Sequence, residues 1–148
     1  MNRNKKIIAW LLLIIWMTII FLMSHQIGEV SSSQSDIILK IFSLLGIELN
    51  QFFGELATLI VRKAAHFSEY LILFLLAYNV SRFYVKGRKI RLLLIVFVFL
   101  YACTDEVHQY FIPGRNMAVK DVFIDTLGGV FGYIILDVVE KFKSNNKK

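Results

Sequence analysis

The sequence is poor in cysteine, proline and charged residues, and each scarcity narrows what the protein can be. With one cysteine, Cys103, no disulfide can form within the chain. The one proline, Pro113, precedes a glycine and marks a turn. Charged residues make up 19% of the 148 residues and hydrophobic ones 57%, a balance that is not typical of a soluble domain. We therefore expect a small polytopic membrane protein with a single domain over residues 1–148.

Apolar runs predict four transmembrane helices, at about residues 7–23, 51–80, 92–110 and 121–139. The first run follows a short basic segment, as in a signal peptide. No small-x-small cleavage site comes after it, so we interpret it as an uncleaved transmembrane helix. The predicted fold class is all-α.

The segment between the first two predicted spans is more polar. Residues 24–36 are rich in Ser and Gln and are predicted to form a loop. Ser35 or Asp36 is a candidate cap for a short amphipathic helix that ends near Gly46 and lies along the membrane surface. This helix would be an interfacial element of the first external loop. Asn50 is the candidate cap of the long second span.

The distribution of basic residues predicts the orientation. The N-terminus, the 81–91 loop and the tail from Lys141 contain three, five and four of the 17 Lys and Arg residues. Basic loops remain in the cytoplasm, so both termini are expected there. The basic residues lie at segment ends, and this distribution suits contact with anionic lipid headgroups better than contact with nucleic acid.

Two polar stretches interrupt the apolar runs. Thr104–Arg115 (TDEVHQYFIPGR) follows an apolar run that is too short to cross a bilayer, and Arg62–Tyr70 (RKAAHFSEY) interrupts another. Ionisable residues at membrane depth are costly and usually functional. On the fourth helix, Asp121 and Asp125 share a face with two glycines, Gly128 and Gly132, which permit close helix packing.

Helix geometry predicts that these polar stretches lie at a similar depth in the membrane. At a rise of about 1.5 Å per residue, His66 lies about 24 Å from Arg82, Asp105 about 21 Å from Arg91, and Asp125 about 24 Å from Lys141. The i, i+4, i+7 spacing puts Arg62, His66 and Glu69 on one face. Asp105 shares a face with His108 or Gln109. We therefore predict one polar pocket, open to the outside.

The chemistry of this pocket has several interpretations. In the first interpretation the charges are purely structural pairs, such as Arg62 with Asp121 or His66 with Glu69, but acidic groups outnumber obvious partners. A metal ion held by His66, His108 and nearby carboxylates is a second interpretation, without a standard zinc spacing. The third is general acid–base chemistry, and the fourth is anion binding by Arg62, Lys63 and Arg115.

The stretches RKAAHFSEY, TDEVHQYFIPGR and DVFIDTLGGVFG, preceded by MSHQIGEVSSSQS, resemble the VanZ-like membrane family over roughly residues 20–135. The resemblance implies a four-helix protein of the bacterial cytoplasmic membrane and a link to low-level resistance to teicoplanin-type lipoglycopeptides. It carries over to twelve motif positions: Arg62, Lys63, His66, Glu69, Asp105, Glu106, His108, Gln109, Gly114, Arg115, Asp121 and Asp125.

Three functions follow as hypotheses, and none of them assigns a cofactor. The first is binding of an anionic lipid or lipid-linked cell-wall precursor, or the lipoglycopeptide itself; its candidate ligand-binding residues are Arg62, Lys63, Glu106, Gln109, Arg115, Asp121 and Asp125. The second is an intramembrane hydrolase or transferase for a lipid phosphate or ester; its candidate catalytic residues are His66, Glu69, Asp105 and His108. The third is a small transporter or scramblase, expected as a homo-oligomer because four short helices leave little room for a pathway.

Overall fold

The computed structural model describes residues 3–85 and 87–146, apart from the side chain of Arg88. Within these residues the chain forms six helices and no strand, which confirms the predicted all-α class. The helices are α1 (Arg3–Ser24), α2 (Gly28–Leu44), α3 (Leu49–Phe53), α4 (Leu56–Ser81), α5 (Arg88–Gln109) and α6 (Val119–Asn145).

Helix α4 is the centre of the bundle and contacts each of the other five helices. Its residues Tyr70, Leu73 and Phe74 are fully buried. The most extensive contact joins α4 to α6, and the predicted glycines permit it. A Cβ atom on Gly128 would collide with the carbonyl oxygen of Phe67, so only glycine allows the two helices to approach this closely.

The loop predicted for residues 24–36 is wrong from residue 28 onward, because Gly28–Leu44 is one continuous helix. Serine usually disfavours a helix interior by competing for backbone groups. Here the hydroxyls bond within the helix: Ser33 Oγ donates to the carbonyl of Glu29 at 3.0 Å, and Ser35 Oγ to that of Ser31 at 3.1 Å. The predicted end near Gly46 is confirmed, since that glycine has φ +82° just beyond α2.

The long helix predicted over residues 51–80 is divided in two. Gly54 has φ +54°, a left-handed conformation that ends α3 before α4 begins. Asn50 lies inside α3 and does not cap the long helix. The other three predicted helices are longer than expected. Helices α1, α5 and α6 all begin before the predicted first residue, and α6 continues to Asn145.

Two of the described helices, α1 and α6, are long and apolar enough to cross a membrane. Only 22% and 28% of their most apolar stretches are buried, so both present apolar side chains outward rather than to a core. This pattern indicates a membrane protein. The predicted count of four spans is not confirmed, because only these two of the described helices meet this criterion.

Candidate functional site

The two polar stretches meet, as predicted, where the first half of α4 faces the end of α5 and the first half of α6. One ring nitrogen of His66 and one carboxylate oxygen each from Asp105 and Asp125 all lie within 4.8 Å of one another. His66 Nδ1 is also 3.8 Å from Glu69 Oε2 and 3.9 Å from Asp125 Oδ1. Three helices thus contribute to a single cluster of one imidazole and three carboxyl groups, which we call the acidic cluster.

Asp125 is the most unusual member of the acidic cluster. Its exposed fraction is 0%, and neither carboxylate oxygen has a hydrogen-bond partner among the described residues. His66 Nδ1 is buried and also has no hydrogen-bond partner there. A buried carboxylate without such partners is costly for stability. The side chains that the structure describes therefore leave polar atoms at the centre of the acidic cluster without a hydrogen-bond partner.

Gln109 connects the acidic cluster to the Pro113–Arg115 turn. Its Nε2 donates to Asp105 Oδ2 at 3.0 Å, and its Oε1 accepts a hydrogen bond from Arg115 Nη1 at 3.1 Å. Both Asp105 and Gln109 are buried. The amide therefore orients the carboxylate on one side and the guanidinium on the other.

Arg115 also ties this turn to the end of α1. Its Nε donates to the carbonyl of Gln26 at 3.1 Å and its Nη2 to that of Met23 at 3.3 Å. The last carbonyls of a helix have no partner within the helix and favour a cation. Burial lowers the pKa of Arg115 from its usual value, and the positive charge of Arg62 lowers this pKa further. The two guanidinium groups therefore repel each other across the site.

Two further predicted residues hold the start of α6. Glu106 Oε2 accepts a hydrogen bond from the backbone N–H of Ala118, the N-cap residue of α6, at 2.9 Å. Asp121 forms an ion pair with Lys63, and not with Arg62 as one interpretation had it. Adjacent residues on a helix point about 100° apart, so only one of the two cations can face α6.

His108 lies outside the acidic cluster, which corrects its place in the predicted metal site. Its Nε2 is 3.1 Å from Nδ1 of His25, with which it shares a hydrogen bond, and the two rings stack at 5.2 Å between centroids. Phe21 packs against both rings, with its centroid 4.7 Å from that of His108 and 6.0 Å from that of His25. His25 was not predicted as a site residue, although it belongs to the MSHQ segment that the family resemblance includes.

A cavity of about 310 Å³ lies between α2 and α4, beside the acidic cluster. Its polar lining residues are Arg62, His66, Glu69 and Arg115, together with Ser31, Gln34 and Ser35 of α2; its apolar lining residues are Met23, Ile37, Ile38 and Ala65. The α2 residues were missed because this segment was predicted to be a loop. The serine-rich composition that misled the prediction was the available signal for a polar surface.

Comparison with known proteins leads to a family but to no individual relative. No curated protein and no solved structure matches the chain significantly. The model of the VanZ/LLP1 family matches residues 9–140, a range that includes all the site residues described above. The chain therefore belongs to the VanZ/LLP1 family.

Proposed function

We propose that this protein binds the phosphate group of an anionic lipid, either a phospholipid or a lipid-linked envelope precursor, in the cavity between α2 and α4. In this proposal α1, α4, α5 and α6 cross the bacterial cytoplasmic membrane, both termini are cytoplasmic, and the cavity opens near the outer leaflet.

The proposal rests on Arg62. This residue lines the cavity but forms no hydrogen bond or ion pair with any other residue that the structure describes. It is close enough to Arg115 for its charge to lower the pKa of that guanidinium. A phosphate between the two side chains would relieve their repulsion and accept hydrogen bonds from both, and phosphate is an anion that guanidinium groups bind well.

The shape of the cavity supports a lipid rather than a free anion. Its lining combines charged and polar side chains with aliphatic ones such as Ile37 and Ile38. A volume of about 310 Å³ holds roughly ten water molecules. This space suits a phosphate and the first carbons attached to it, with the remaining acyl or prenyl chain outside in the bilayer.

The lengths of α4 and α5 support the proposed four spans. With 26 and 22 residues, they extend about 39 Å and 33 Å, enough to cross a hydrocarbon core of about 30 Å. Arg82, just after α4, and Lys89, in the first turn of α5, lie at the end opposite the site. By the positive-inside rule this end is cytoplasmic, so the cavity is on the outer side.

Lipid binding to the full-length protein in detergent tests the proposal. Titrations with phosphatidylglycerol, a polyprenyl phosphate and zwitterionic phosphatidylcholine should show binding of one or both anionic lipids only, and the preferred one identifies the source. Arg62→Ala should weaken binding about tenfold or more, the loss expected for one charge-assisted hydrogen bond. Arg82→Ala removes an exposed arginine just beyond the other end of α4 and serves as the control. Equal binding by wild type and Arg62→Ala would refute the proposal.

The family suggests a physiological consequence, low-level resistance to teicoplanin-type lipoglycopeptides. Expression of the wild-type protein in a susceptible bacterium should raise the inhibitory concentration of teicoplanin, and Arg62→Ala should abolish the increase. An increase of the same size with Arg62→Ala would separate any resistance from lipid binding.

A second candidate function is hydrolysis or group transfer on the bound lipid. The observation that favours it is the position of His66 on the cavity wall, with its Nδ1 3.8 Å from Glu69 Oε2. A histidine paired with a carboxylate is a typical general base. Turnover of the bound lipid, lost in His66→Gln, would establish this function; an intact lipid after prolonged incubation would exclude it for that lipid.

A further inference from the structure

The acidic cluster has a property that binding of an anion at Arg62 does not use. Asp105, Asp125 and Glu69 place three carboxyl groups around a single imidazole, and no lysine or arginine that the structure describes forms an ion pair with any of the three. Lys63 pairs with Asp121, and Arg115 donates to two backbone carbonyls and to Gln109. Several carboxyl groups in a low-dielectric interior are stable only when some of them are protonated or when a positive charge lies among them.

We infer that His66, Asp105 and Asp125 bind a divalent transition-metal ion, Zn²⁺ or Mn²⁺, with Glu69 as the fourth protein ligand. This inference goes beyond the proposed lipid binding and does not depend on it. One nitrogen and several carboxylate oxygens form a ligand set that suits both ions.

The inference rests mainly on the environment of the Asp125 side chain. It is completely buried, and both of its oxygens are without a hydrogen-bond partner among the described residues, although one lies 3.9 Å from His66 Nδ1. Neutral hydrogen-bond donors normally surround a buried carboxylate. Here the side chain instead points at an imidazole nitrogen that is also without a hydrogen-bond partner. Two unsatisfied ligand atoms directed at each other are the arrangement that a shared cation satisfies.

The distances are close to those of a bound site. The three ligand atoms lie within 4.8 Å of one another. Atoms that are each about 2.1 Å from a tetrahedral ion are about 3.4 Å apart. A contraction of roughly 1 Å is therefore needed, which small side-chain rotations can supply.

The surroundings provide both orientation and access. The hydrogen bond from Gln109 Nε2 holds Asp105 in place, and such outer contacts to ligating carboxylates tune metal sites. His66 and Glu69 line the cavity between α2 and α4, so an ion can enter from that side. Asp125 does not line this cavity and is completely buried.

Elemental analysis tests the inference directly. Full-length protein is purified in detergent without chelators or a histidine tag, incubated with Zn²⁺ or Mn²⁺ and desalted. We expect about one ion per chain for the wild type and loss of at least nine-tenths of it in Asp125→Asn and in His66→Gln. Asp137→Asn makes the same chemical change near the other end of α6, where Asp137 pairs with Arg91 and Lys141, and should retain the ion.

Thermal unfolding supplies a second readout that needs no variant. An ion present at about 100 times its dissociation constant should raise the Tm of the wild type by about 5 °C or more, and EDTA should reverse the increase. In Asp125→Asn neither addition should change the Tm. Wild-type protein that contains no ion and whose Tm responds to neither metal would overturn the inference, as would full metal content in Asp125→Asn. A metal-free protein that still binds lipid through Arg62 would refute this inference alone.

Discussion

Replacement of Gly128 by alanine tests whether the close contact of α4 and α6 determines the geometry of the site. An added Cβ would overlap the carbonyl oxygen of Phe67 and lie 3.1 Å from the backbone nitrogen of Leu71. Both neighbours are backbone atoms, so no side-chain rotation can relieve the overlap and the two helices must separate. Asp125 is less than one helical turn away, so this separation also moves it from His66.

The expected magnitude is the difference between two opposing effects. Overpacking against a rigid neighbour costs up to about 3 kcal/mol, whereas alanine stabilises a helix by about 1 kcal/mol relative to glycine. We expect a net loss of about 2 kcal/mol in the free energy of unfolding, which corresponds to a decrease in Tm of about 4–8 °C.

Thermal or denaturant unfolding of the purified protein in detergent measures this loss. Leu127→Ala is the control, because Leu127 is adjacent in sequence but 57% exposed on the outer face of α6; a change within about 0.5 kcal/mol is expected there. A Gly128→Ala variant as stable as the wild type would refute the close packing of the two helices, and with it the geometry of the acidic cluster.

Variants at three further residues test the contacts that surround the site. Arg115→Ala should lower the free energy of unfolding by about 2–3 kcal/mol, because three hydrogen bonds are lost at about 1 kcal/mol each; unchanged denaturant unfolding would contradict the tie to α1. Glu106→Ala should cost about 1–3 kcal/mol, because the N–H of Ala118 loses its acceptor; Glu106→Gln, which keeps a carbonyl oxygen, should recover most of this stability in the same measurement. His108→Gln should leave metal content at the wild-type level, because His108 bonds to His25 outside the acidic cluster; loss of the ion in elemental analysis would place His108 among the ligands.

Local geometry explains which parts of the site were predictable. The rise and periodicity of an α-helix are constant, so the spacing of His66 and Glu69 fixed their common face in any helical fold. Distances from the basic ends of the helices then predicted that Asp105 and Asp125 reach the same level, and the structure places both beside His66. Gly128 was predictable as a packing residue because a missing side chain on an apolar helix has few other uses.

Local sequence propensity gave the wrong helix bounds where a tertiary contact or a single backbone angle determines the end of a helix. Helix α2 was predicted to begin at about Ser35, yet it begins at Gly28, whose N–H donates to the carbonyl of Pro113 at 3.2 Å. A Cβ on Gly28 would collide with the carbonyl oxygen of Gly114. The start of α2 is thus set by a turn more than 80 residues away in the chain, which no local pattern contains.

The sequence alone determined the helical class, the family and the set of ionisable residues that share one level of the bundle. Only the tertiary structure decided how these residues pair: Lys63 and not Arg62 with Asp121, and His108 with His25 instead of His66. The physical reason is that composition and periodicity specify a residue's height and face on its own helix. A partner depends on which neighbouring helix that face meets, and a rotation by one residue, about 100°, is enough to change it.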